Sequence, residues 1–133
     1  MSSVPDTAYG HIEIKEEHVA TLASPAGAYN ETELAVREYF KDIPIMIQVA
    51  RCESTFRHTL ADGSVLRGVV DKADTGVMQI NTRYHGTTAV ELGLDLQILE
   101  DNLAYARYLY ETQGTKPWNA SAPCWNRTLA QVS

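Results

Sequence analysis

Glu53 has the most evident capacity for chemistry in this sequence. Met46, Val49, Ala50 and Glu53 follow at i, i+3, i+4 and i+7, so a carboxylate rides on a helix face that is otherwise apolar. Desolvation penalises the ionised form of such a group and raises its pKa. An acid that keeps its proton near neutral pH can give it to a departing oxygen and later take one back. The plainer alternative is a glutamate at a helix end, paired with Arg51 or Arg57. Asp74 stands in the turn Asp74-Thr75-Gly76, where a solvated turn aspartate is the ordinary reading. Nearby, the amide of Gln79 carries donors and an acceptor for hydroxyl or acetamide groups, or for the backbone of its own segment.

The elements that must position these groups are mostly helical. Asn30 with Glu33 three residues on makes a capping-box-like start for a first helix over 31–41, striped by Leu34, Val36, Tyr39 and Phe40. Pro44 suits the first turn of a second helix, over 44–54, which carries Glu53. From Asp62-Gly63 to Asn81 the period changes, and Ser64-Val65-Leu66 and Val69-Val70 predict strands of a small hairpin or three-stranded ribbon. Helices return at 83–92, ended by Gly93, and at 96–113, ended by Gly114 and faced with Leu99, Leu103, Ala106 and Tyr110. The segment Thr115 to Trp125, with Pro117, Trp118, Pro123 and Trp125, shows no helical period and reads as a loop packed over the domain. Residues 1–29 read as an arm or linker with one short strand at Gly10–Lys15, leaving 30–133 as a single domain. The fold class expected is α+β, mainly α.

Composition narrows the function. The net charge is −6; residues 1–50 hold eight acids against three Lys/Arg, and residues 51–133 hold nine against eight. Without a basic cluster, nucleic acid is not an expected partner. No apolar run approaches the roughly 18 residues of a membrane span, and Met1 to Gly10 lacks the features of a signal peptide. His11, His18, His58 and His85 show no zinc-type spacing, no G-x-S-x-G elbow occurs, and neither cysteine sits in a protease signature. Metallohydrolase, serine hydrolase and cysteine peptidase readings are therefore poor.

Three segments in series carry a family resemblance. Ala50-Arg51-Cys52-Glu53-Ser54-Thr55-Phe56-Arg57 resembles the E-S-x-F catalytic motif of lytic transglycosylases. Gly76-Val77-Met78-Gln79-Ile80-Asn81 resembles the G-[LV]-M-Q-[IL] segment that lines the glycan cleft in that family. More loosely, Asn102 to Leu109 followed by Trp118-Asn119-Ala120-Ser121 is similar to the family's late helix and its Y-N-A-G turn. The matches span about 43–125 in the family's order, nearly the whole domain.

The resemblance implies a lysozyme-like fold, peptidoglycan glycan strands as substrate, and no metal or organic cofactor; a monomer in a secreted, periplasmic or cell-envelope setting is expected. It implies Glu53 as general acid and base, with Met78 as an apolar wall and Ser54, Gln79, Asn81 and Asn119 along the substrate; Ser54 could equally cap its helix. Tyr105 or Tyr108 would face the cleft toward Glu53, with core packing as the alternative. Asp74 falls where c-type lysozymes have a second carboxylate, so hydrolysis competes with the transglycosylation that yields 1,6-anhydromuramic ends. A catalytically silent peptidoglycan-binding module is the further alternative. Cys52 and Cys124, the only cysteines, are either two buried thiols or a disulfide that would stabilise by roughly 4 kcal/mol in the chain-entropy model and point to an oxidising compartment.

Overall fold

The computed structural model describes residues 30–132, so the arm and its Gly10–Lys15 strand lie outside the described residues. Five α-helices and one two-stranded antiparallel sheet make up the regular structure of these residues, together with a 3₁₀ segment. Helix α1 spans Glu31–Tyr39; the Asn30 side chain caps it by accepting the Glu33 N–H at 2.7 Å. Helix α2 spans Pro44–Ser54, with its proline in the first turn, and buries Met46, Ile47, Val49, Ala50 and Ser54. Its end is abrupt because Thr55 and Phe56 both take positive φ, 55° and 58°. Such a conformation is costly for a β-branched and an aromatic residue. Here it folds Phe56 back into the core beneath the Arg37 guanidinium while Glu53 stays half-buried at the helix end.

Strand β1, Asp74–Thr75, pairs with β2, Ile80–Asn81, in the register Asp74 to Asn81 and Thr75 to Ile80. The expected ribbon is smaller than its sequence suggests. Val65 and Arg67 make only isolated bridges, to Thr59 and Thr75. Val69 and Val70 form no strand and are fully exposed. The reason lies in Gly68, where a Cβ would collide with the Asp71 carbonyl oxygen. The chain doubles back there, with Gly68 donating to the Asp74 carbonyl and Asp74 to that of Asp71, so two β-prone valines sit at the tip of a turn.

Helix α3 spans Thr82–Glu91 and is capped by Asn81, whose side chain accepts the Arg83 N–H. Helix α4 spans Leu99–Gln113, three residues shorter at its start than the apolar pattern implied. Residues 95–98 form a loop instead, in which Asp95 accepts the Gln97 N–H and Asp101 accepts that of Asp95. The largest departure is at the end of the chain. A 3₁₀ segment, Lys116–Ser121, leads into helix α5, Ala122–Val132, where a loop was expected. Pro117 and Pro123 each stand second in their element, where no intrahelical N–H is lost, so they start helical segments in a stretch whose sequence shows no helical period.

The core gathers Phe40, Met46, Val49, Ala50, Phe56, Val77, Met78, Leu103, Ala106, Leu109, Trp118 and Trp125. Helix α2 lies among α1, α5 and the 3₁₀ segment, and α4 also packs on α1 and the 3₁₀ segment. The Cys52–Cys124 disulfide joins α2 to α5, with Cα atoms 6.1 Å apart. No helix of the described residues is long and apolar enough to cross a membrane.

Candidate active site

The arrangement around Glu53 begins with the turn Gly76–Gln79 between the two strands. Gly76 has φ 76°, and a Cβ there would meet the Asn102 amide nitrogen at 2.5 Å and the His58 ring at 2.6 Å. Only glycine fits this packing. His58 Nδ1 accepts the Val77 N–H at 3.0 Å, and Nε2 donates to the Gln97 carbonyl at 2.8 Å. This pairing needs the neutral ring, and burial pushes the His58 pKa down. Asn102, fully buried, accepts the Met78 N–H and donates to the carbonyls of Thr75 and Leu96. The turn is thereby clamped to the loop after α2 and to the start of α4.

The same turn holds the 3₁₀ segment. Trp118 Nε1 donates to the Met78 carbonyl at 2.8 Å, which fixes the approach of the segment toward α2. Ser121, at its end, donates its hydroxyl to Glu53 Oε2 at 2.7 Å. Trp125 Nε1, from α5, approaches Ser121 Oγ at 3.1 Å and the Trp118 carbonyl at 3.2 Å. Burial raises the Glu53 pKa above the usual carboxylate value; the Ser121 hydrogen bond opposes this, and the charge of Asp74 adds to it. The helix-end pairing with Arg51 or Arg57 does not occur. Arg51 binds Gln48 Oε1 and reaches toward the Cys124 sulfur, and Arg57 folds back on the Ser54 carbonyl.

Asp74 lies within electrostatic reach of Glu53 and accepts a hydrogen bond from Asn81 Nδ2, which also donates to Asp71. Arg83 pairs with the same Asp71 carboxylate. Gln79, with φ 52°, donates its amide to the Gly76 carbonyl at 3.0 Å and is half-buried, so the turn uses one donor while its carbonyl oxygen faces the Gly68 backbone. Asp74, Gln79 and Asn81 are thus neighbours on the hairpin, and of these the charge of Asp74 reaches Glu53 on α2.

Other expected residues are placed differently. Ser54 is buried, donates to the Ala50 carbonyl and accepts the Arg57 N–H, which is a helix-ending role. Met78 is fully buried in the core, and Asn119 is exposed on the 3₁₀ segment. Tyr105 is buried, with its hydroxyl 3.0 Å from His85 Nδ1; Tyr108 packs beside it and is partly exposed. The hydroxyl that reaches Glu53 comes from Ser121. Sequence reading touched Ser121 only as the last residue of a motif and assigned no role to Trp125, His58 or Asn102. The signal that could have found Ser121 is its place three residues after Trp118, on the segment that the disulfide partner Cys124 follows.

A concavity of about 540 Å³ beneath the 60–72 loop is lined by Leu60, Val65, Leu66, Arg67, Lys72 and Gln97 among others, and does not include Glu53 or Asp74. Among the described residues no group of three or more His, Cys, Asp or Glu is arranged to hold a metal ion. No family model, curated protein or solved structure matches this chain.

Proposed function

We propose that this chain, on a lysozyme-like fold, cleaves the β-1,4 bond between N-acetylmuramic acid and N-acetylglucosamine in peptidoglycan, acting as a lytic transglycosylase outside the cytoplasm. The observation that carries this reading is the state of Glu53: a half-buried carboxyl with a raised pKa, held by one hydroxyl and within reach of the Asp74 charge. A general acid for glycoside cleavage needs that environment. The resemblance of the Glu53 and Gly76–Asn81 segments to lytic transglycosylase motifs supplies the substrate class.

In this mechanism protonated Glu53 gives its proton to the glycosidic oxygen as the bond to the muramic C1 breaks. The N-acetyl carbonyl oxygen of the muramic residue closes on C1 and carries the positive charge. Ionised Glu53 then takes the proton of the C6 hydroxyl, whose oxygen bonds to C1 while the acetamide is released. The proximity of Asp74 favours a second reading, in which that carboxylate assists the cation and water attacks. Mass spectrometry of digested peptidoglycan separates the two: 1,6-anhydromuramic ends are expected, reducing ends mark hydrolysis, and uncut glycan would leave a binding module.

A further inference from the structure

A serine hydroxyl has one proton to donate, and the surroundings of Ser121 decide where it points. Indole N–H is a donor only, so the Ser121 oxygen facing Trp125 Nε1 must present a lone pair. The hydroxyl proton then has two acceptors within reach, Glu53 Oε2 at 2.7 Å and the Trp118 carbonyl at 3.1 Å. The nearer one carries charge when Glu53 is ionised, and charge-assisted bonds are the stronger. No donor among the described residues reaches the other carboxylate oxygen, Oε1.

We propose that Ser121, set as a donor by Trp125, reserves Glu53 Oε2 and confines the proton exchanged with substrate to Oε1. Ser121 is a positioning residue: it acts on substrate through the orientation of Glu53. The inference rests on the reading of Glu53 as the glycosidase acid, although the contact can be tested without turnover. Trp125 supports it from α5, and the disulfide one residue before Trp125 ties that helix to the residue beside Glu53. Among the described residues, Ser121 from the 3₁₀ segment acts on the carboxylate by its hydrogen bond and Asp74 from β1 by its charge. On α1, Glu33 and Arg37 pair with each other, and on α2 itself Arg51 binds Gln48.

The test compares Ser121→Ala and Ser121→Thr with the wild-type, disulfide-bonded full chain. Carbon NMR of the glutamate carboxyls gives the Glu53 titration midpoint, and peptidoglycan digestion gives the pH profiles of kcat and KM. With Ser121→Ala the midpoint rises, because a bond to the ionised form is gone, and the alkaline limb of kcat moves to higher pH with it. The plateau of kcat falls about tenfold with KM nearly unchanged. Ser121→Thr, which keeps the hydroxyl, restores the midpoint and the rate. An unchanged midpoint in a folded Ser121→Ala variant overturns the proposal, as does a change confined to KM. A raised midpoint in a chain that cuts no peptidoglycan sustains the contact and overturns the glycosidase reading on which its catalytic meaning depends.

Discussion

At the scale of single residues, the environment of Glu53 makes its protonation the quantity to perturb. Glu53→Gln keeps shape and a partner for Ser121 but cannot supply a proton, so activity on peptidoglycan is expected to fall about a hundredfold or more with the fold intact. Stability gives the complementary reading. The folded-state pKa of Glu53 lies above its unfolded value, so the wild type loses stability as pH rises through that interval, and the glutamine variant does not. Urea unfolding should show the variant gaining on the wild type at neutral pH and not below about pH 4. Asp74→Asn acts in the opposite sense to Ser121→Ala. Removing the Asp74 charge lowers the Glu53 pKa, so the alkaline limb of the kcat profile should move to lower pH. A drop in kcat of a hundredfold or more on top of that shift would assign Asp74 as the second carboxylate, whereas about tenfold or less is expected for acetamide assistance.

At the scale of elements, the Gly76–Gln79 turn shows where sequence patterning is informative and where it stops. The glycine and the motif after it were readable; the side chains holding the turn were not, because His58 and Asn102 come from segments 19 and 24 residues away in sequence from their partners Val77 and Met78. Asn102→Ala would leave the Met78 N–H and the Thr75 and Leu96 carbonyls without their side-chain partner in a site closed to water. A loss of about 3 kcal/mol or more in urea unfolding is expected, since each stranded buried group costs about 1–3 kcal/mol. Helices α1 and α2 followed their periodicity and caps closely, because those signals are local. The valines of the 68–71 turn and the prolines of the C-terminal segment misled for the same physical reason. Propensity describes a residue's preference, whereas its neighbours decide whether the chain turns or continues.

At the scale of the whole molecule, the Cys52–Cys124 disulfide spans 72 residues and fastens the acid's helix to α5. The double variant Cys52→Ser, Cys124→Ser should lose about 4 kcal/mol in the chain-entropy model, measured by urea unfolding against the oxidised wild type. Because Ser121 and Trp125 ride on the segments beside Cys124, activity should fall further than the fraction unfolded accounts for. A variant with wild-type kcat at a temperature where it remains folded would separate the disulfide from the geometry of the site.

Local spacing alone made legible a mainly helical chain with a small β element between residues 62 and 81, a carboxylate on the apolar face of the second helix, and a glycine turn directly after Asp74. Each of these depends on spacing within a single element, where period, cap and turn chemistry act over a few residues. Packing between elements settled that the hydroxyl on Glu53 belongs to Ser121, that Tyr105 turns to His85, and that His58 and Asn102 carry the turn. Those assignments join residues from different elements. They are settled by which buried donor has an acceptor within reach once the helices pack, a condition that no local pattern encodes.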